Sequence, residues 1–136
     1  ELEGVPIRQG VVKAQRVIDF ANGLADRPGE SMSRVSMHLA HLPIPELQVP
    51  LVGASGKTWT VDFYWRERRL IGEFDGVVKY TNAEFLQGRT PAEAVIDEKA
   101  REDDLRAADY GMSRWGWSVA MSPSLIRQHL ARAGLG

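Results

Sequence analysis

The order of predicted elements makes this chain a single α/β domain: helix, helix, three strands, helix, strand, helix. Three observations carry that expectation. Residues 58–76, TWTVDFYWRERRLIGEFDG, alternate apolar and polar side chains on both sides of a charged link, the pattern of a β-hairpin. Helical spacing and helix-start signals lie before and after that hairpin. The chain has 136 residues, enough for one proper core and too few for two comfortable ones.

Taken in order, residues 10–25 carry Val17, Phe20, Ala21 and Leu24 at helical spacing before the breaker Asp26-Arg27-Pro28-Gly29. This is an outlying first helix, or the end of a preceding region, over 1–27; the main domain is expected over 28–136. A second helix is predicted from about Glu30 to His41, with Met32, Val35, Leu39 and Leu42 on one face and Pro43 and Pro45 as its stop. Glu46 to Val52 reads as a strand and Gly53-Ala54-Ser55-Gly56 as a turn. In the hairpin, Trp59, Val61, Phe63 and Trp65 share one side of a strand, and Thr60, Asp62 and Tyr64 the other. The segment after Gly76, with Lys79 and Tyr80, has too little periodicity for an assignment. Thr90-Pro91-Ala92-Glu93 is a capping box with proline at the first helical position, starting a helix that runs to about Asp109 and ends at Gly111. Residues 112–119 place Trp115, Trp117 and Val119 on one side of a further strand; both tryptophans could stack on bases, but alternation with small and polar residues favours the core for both. Ser122-Pro123 caps a last helix carrying Leu125, Ile126 and Leu130, which ends at Gly134.

Composition narrows the function. A formal net charge of −1 removes any argument for nucleic acid from overall basicity, so such binding has to come from local patches. Without cysteine there is no disulfide framework, thiolate metal site or thiol nucleophile. No apolar run approaches a membrane span, and Glu1-Leu2-Glu3-Gly4 resembles neither a start nor a signal peptide. The default expectation is a cytoplasmic piece of a longer protein with an N-terminal region, not bound to a membrane.

The acids of the hairpin carry the chemistry. A turn centred between Glu67 and Arg68 sets Asp62 opposite Glu73 and Thr60 opposite Asp75. Directly opposed side chains stand roughly 5 Å apart at Cβ. Two like charges at that distance repel by roughly 3 kcal/mol at an effective dielectric near 20. Three things can compensate: a divalent cation, a basic side chain such as Lys79, or a shared proton. Because Ile71 and Tyr64 share the acidic side, that side is expected to be partly buried rather than a freely solvated face.

Several blocks carry a family resemblance: PGESMSR (28–34), LPIPELQ (42–48), VDFYW (61–65), GEFDGVVKY (72–80), EKAREDDLR (98–106) and SRWGW (113–117). In their order and spacing they resemble the PD-(D/E)XK nuclease superfamily, and within it the very-short-patch-repair endonuclease-like branch, often the C-terminal domain of bacterial proteins of unassigned role. The resemblance covers nearly everything after Pro28. It implies a restriction-endonuclease-like α-β-β-β-α-β core with a mixed sheet flanked by helices, and metal-dependent hydrolysis of DNA with Mg2+, or Mn2+ in its place. It implies Asp62 and Glu73 as metal ligands and Glu30 as the acid of the first core helix. The superfamily's lysine sits two residues after the strand acid, where this chain has Asp75, a second ligand or water holder under the resemblance. Lys79 is the nearby replacement. A nuclease-derived module that binds DNA or a protein partner without cleaving is the alternative.

Other residues have competing readings. Arg34 is either an i, i+4 partner of Glu30 or a phosphate contact. Arg101 and Arg106 sit among the acids of a mixed-charge helix, which reads as a salt-bridged face; the resemblance also offers them as phosphate contacts or as holders of the acidic site. His38 and His41 have a spacing compatible with one zinc ion, but no third ligand is evident. No G-x-S-x-G elbow is present, so acyl transfer has no positive signal.

Overall fold

The computed structural model describes residues 28–75 and 86–136. The expected first helix and Lys79 fall outside the described residues. Helix α1 (Pro28–Leu39) leads into strand β1 (Glu46–Val52), β2 (Thr58–Trp65), a 3-10 turn at Arg66–Arg68 and β3 (Leu70–Phe74). Helix α2 (Pro91–Ala107) then precedes β4 (Gly111–Trp115), the short α3 (Trp117–Ala120) and α4 (Pro123–Arg132). The four strands form one mixed sheet in sequential order, antiparallel from β1 to β3 and parallel between β3 and β4. The α/β class and the flanked mixed sheet are thus as the sequence predicts. No helix among the described residues is long and apolar enough to cross a membrane.

Helices cover both faces of the sheet. On one face Phe63, Trp65, Leu70 and Trp115 pack with Met37 of α1, Ala40 just after it, Ala120 of α3, and Ile126 and Leu130 of α4. On the other, Val49, Leu51, Val61, Tyr64, Ile71 and Met112 pack with Leu105 of α2. Asp104 ties α2 to the β1–β2 turn by accepting from the backbone N–H of Ser55 (2.8 Å) and the indole N–H of Trp59 (2.8 Å).

Local signals place several elements as expected. β1 has the predicted bounds. The β2–β3 register follows the turn-centred reading, with Tyr64 opposite Ile71 and Phe63 opposite Gly72. Thr90 and Glu93 form the reciprocal capping box of α2, and the Ser122 side chain accepts from the Leu125 N–H at the start of α4.

Four expectations are corrected. The apolar stripe proposed for the first core helix is only half-buried at Met32, Val35 and Leu39. The buried side of α1 carries Ser33, Ser36 and Met37 instead. Small hydroxyls allow close packing there because each finds a partner: Ser36 Oγ donates to the Ala120 carbonyl (2.6 Å), while Ser33 Oγ donates to Gly29 and accepts from the Trp115 indole (2.8 Å). Second, β2 does not alternate throughout: Val61 and Tyr64 face α2, whereas Phe63 and Trp65 face α1 and α4. The phase changes at Asp62, opposite Gln48, whose backbone is left-handed (φ 49). Third, β4 ends at Trp115, and Gly116 starts α3, so Trp115 is core while Trp117 is 40% exposed. Fourth, Leu125 is exposed in α4, which buries Ile126 and Leu130.

Candidate functional site

One step beyond the Phe63 and Gly72 pair, the register brings Asp62 and Glu73 to the same end of the hairpin. Two further elements converge there. Glu30 lies in the first turn of α1, where an acid suits the helix dipole. Gln48 donates from its side-chain amide to Glu30 Oε1 (2.9 Å) and, at the limit of hydrogen bonding, to Asp62 Oδ1 (3.5 Å). A left-handed non-glycine residue costs about 1–2 kcal/mol, so Gln48 is held in place by this setting.

Asp62 accepts the backbone N–H of Phe74 through Oδ2 (3.2 Å) and shares a side-chain hydrogen bond with Glu30. Burial, reinforced by the charges of Glu73 and Glu30, pushes its carboxyl up to about 8. That shift favours the protonated form of Asp62 near neutral pH.

Glu73 is treated differently. It is 3% exposed, and both its oxygens accept from the Arg101 guanidinium of α2 (2.8 and 2.7 Å). Arg101 also donates to the Thr60 carbonyl (2.7 Å), which fixes the fork that makes arginine suited to a buried carboxylate. Arg114 of β4 extends the network, donating to Glu102 (3.2 Å) and lying 3.5 Å from Glu73 and 3.9 Å from Asp75. Of the three compensations open to the sequence, Arg101 supplies the basic side chain for Glu73, and the raised carboxyl of Asp62 favours a held proton.

The remaining sequence candidates divide. Arg101 holds the acidic site. Arg106 pairs with Glu102 one turn away (2.7 Å) and donates to the Met112 carbonyl, in keeping with the salt-bridged reading. Arg34 is exposed on α1, and Asp75 lies at the end of β3 beside Arg114. His38 and His41 do not share a helix, since α1 ends at Leu39 and His41 is left-handed (φ 58). Sequence reasoning missed Gln48 and Arg114. Arg114 had a signal, because it follows Met112 by two residues on the core-facing side of a strand; Gln48 had none.

A magnesium-type ion usually takes one or two protein carboxylates and fills its octahedron with water. Asp62 and Glu30 fit that demand, and proton release from Asp62 would supply the charge. Glu73 fits it only on leaving Arg101. Among the described residues no group of three or more His, Asp or Glu side chains is arranged to hold a metal ion.

Two relatives accompany this geometry, both from Mycobacterium tuberculosis: "Uncharacterized protein MT2308" of strain CDC 1551 / Oshkosh and "Uncharacterized protein Rv2248" of strain ATCC 25618 / H37Rv. Each is 39% identical over 84 residues, covering 61% of this chain and 31% of the relative. The chain thus spans about a third of the length of the curated relatives it matches. No family model matches the chain, and no solved structure matches it.

Proposed function

We propose that this chain is a nuclease-like domain with a restriction-endonuclease-like core that hydrolyses phosphodiester bonds of DNA with Mg2+ or Mn2+. The observation that carries the reading is the meeting of Glu30 and Asp62 at the Gln48 amide, with Glu73 close enough to help raise the Asp62 carboxyl. A carboxylate cluster that costly is what a divalent cation relieves. Asp62 and Glu30 would hold the ion, and the bound ion would polarise the scissile phosphate and acidify a water. Gln48 orients both carboxylates through its amide. Arg101 holds Glu73 in place through both of its carboxylate oxygens. The resemblance assigns Lys79 to charge that develops on the phosphate.

A second reading, a nuclease-derived module that binds DNA or a protein partner without cleaving, is favoured by one observation: Arg101 takes up both oxygens of Glu73. Asp75 in the usual lysine position agrees with it. Plasmid nicking with magnesium or manganese separates the two. The enzyme reading expects wild-type nicking and a loss of about a hundredfold or more in Asp62→Asn and Glu30→Gln. Equal nicking by all three proteins sinks it. DNA retention without nicking, and with no heat of cation binding, supports the second reading.

A further inference from the structure

Beside the acidic end of the sheet stands a half-exposed indole. Backbone pairing of β3 with β4 continues past the strands, as the Asp75 N–H donates to the Trp115 carbonyl (2.8 Å), and this sets Gly116 against Asp75. The chain then turns into α3, and Trp117, its first residue, is 40% exposed. Its ring meets Phe74 edge to face at a centroid distance of 5.0 Å. Phe74 in turn gives its N–H to Asp62 and lies against Gly29, where an added Cβ would stand 2.1 Å from the ring. A single residue thus links the indole to the Asp62 carboxyl, Phe74 meeting Trp117 with its ring and Asp62 with its backbone N–H. The other indoles are engaged: Trp65 and Trp115 are buried and Trp59 binds Asp104.

We propose that Trp117 is a stacking platform for a nucleobase next to the phosphate handled by the acidic site, and that the strand taken is single-stranded or locally unstacked DNA. The inference rests on the nuclease-like reading. In a duplex both faces of each base are covered by neighbours, so an indole reaches a base face only where stacking is broken. Stacking on an aromatic side chain adds to the charge attraction by which single strands are held, an attraction that a chain of net charge −1 supplies only through local patches.

The test is fluorescence anisotropy of the full chain with a labelled single-stranded oligonucleotide and with its duplex, calcium replacing magnesium. Wild type should bind the single strand more tightly than the duplex. Trp117→Leu, which keeps apolar cover over Phe74, should weaken single-strand binding about tenfold and leave duplex binding unchanged; Trp117→Phe should retain most of the affinity. Wild-type affinity in Trp117→Leu, or a wild-type preference for duplex, overturns the inference, and plasmid nicking scored separately leaves the cleavage reading standing. A wild type that binds neither strand overturns the inference, and absence of nicking as well overturns the reading beneath it. If Trp117→Leu melts early, acrylamide quenching in a Trp59→Phe background decides: shielding of the indole by bound single strand supports the platform, and no shielding overturns it.

Discussion

Asp62 is neutral where an aspartate is ordinarily charged, and that has a measurable sign. Its carboxyl moves from 3.8 in the unfolded chain to about 8 in the folded one, so between those values the native state binds more protons. The stabilisation is complete below about pH 4 and is lost as pH rises through 8. In chelator, urea midpoints should fall across that window, and Asp62→Asn should flatten the fall; an unchanged slope would show that another group titrates. Arg101 gives the opposite case. Arg101→Met leaves Glu73 as a buried, poorly compensated charge and should cost about 3–5 kcal/mol by urea denaturation, while the double change with Glu73→Met recovers most of it. A single variant at wild-type stability would refute the account. Sequence alone supplied the acids, because strand parity and a hairpin register are local. It offered Arg101 and Arg106 alike as holders of the acidic site and did not single out Arg101 as the partner of Glu73, since that pairing joins α2 to β3 and only tertiary packing decides which helix arginine faces the sheet.

At the scale of elements, the legible features are those in which a side chain binds its own neighbourhood. The Thr90 box is one, and Thr90→Ala should lower stability by about 1 kcal/mol in thermal melts. Helix α1 is the contrary case, where the apolar stripe is only half-buried at Met32, Val35 and Leu39 and the serine side lies deeper. Serines at Ser33 and Ser36 lie inside because the Trp115 indole and the Ala120 carbonyl need partners, a demand set by residues more than 80 positions away. Gly29 belongs to the same packing. Gly29→Ala drives a methyl into the Phe74 ring and should destabilise by about 1–3 kcal/mol; near-wild-type melting would mean that the ring moves aside freely. Trp117 misled for a related reason. Its alternation with Trp115 looks like a strand, but Gly116 at the cap of α3 breaks the run.

For the whole molecule, the α/β class followed from element order and the flanked mixed sheet from the resemblance, whereas the phase change in β2 followed from neither. That change lets one strand serve both layers, sending Val61 and Tyr64 toward α2 and Phe63 and Trp65 toward α1 and α4. It requires Gln48 to adopt a backbone that sequence pattern does not announce. If the acidic end takes a cation, the whole domain should respond: magnesium at a hundred times its Kd should add about 2.7 kcal/mol to unfolding, absent in Asp62→Asn. No rise in melting temperature at millimolar magnesium would count against the site.

The parallel pairing of β3 with β4 also bears on how the domain assembles. The first three strands are joined by short connections and can pair early, while the β3–β4 contact must wait for the long excursion containing α2 to close. Arg101 travels on that excursion and Arg114 on the strand that completes it, so the counter-charges of Glu73 reach it last. Native ion pairing at Glu73 is therefore a certificate of finished folding. Substitutions that slow closure of the α2 crossover should delay the onset of any activity in a refolding time course while leaving its final level unchanged.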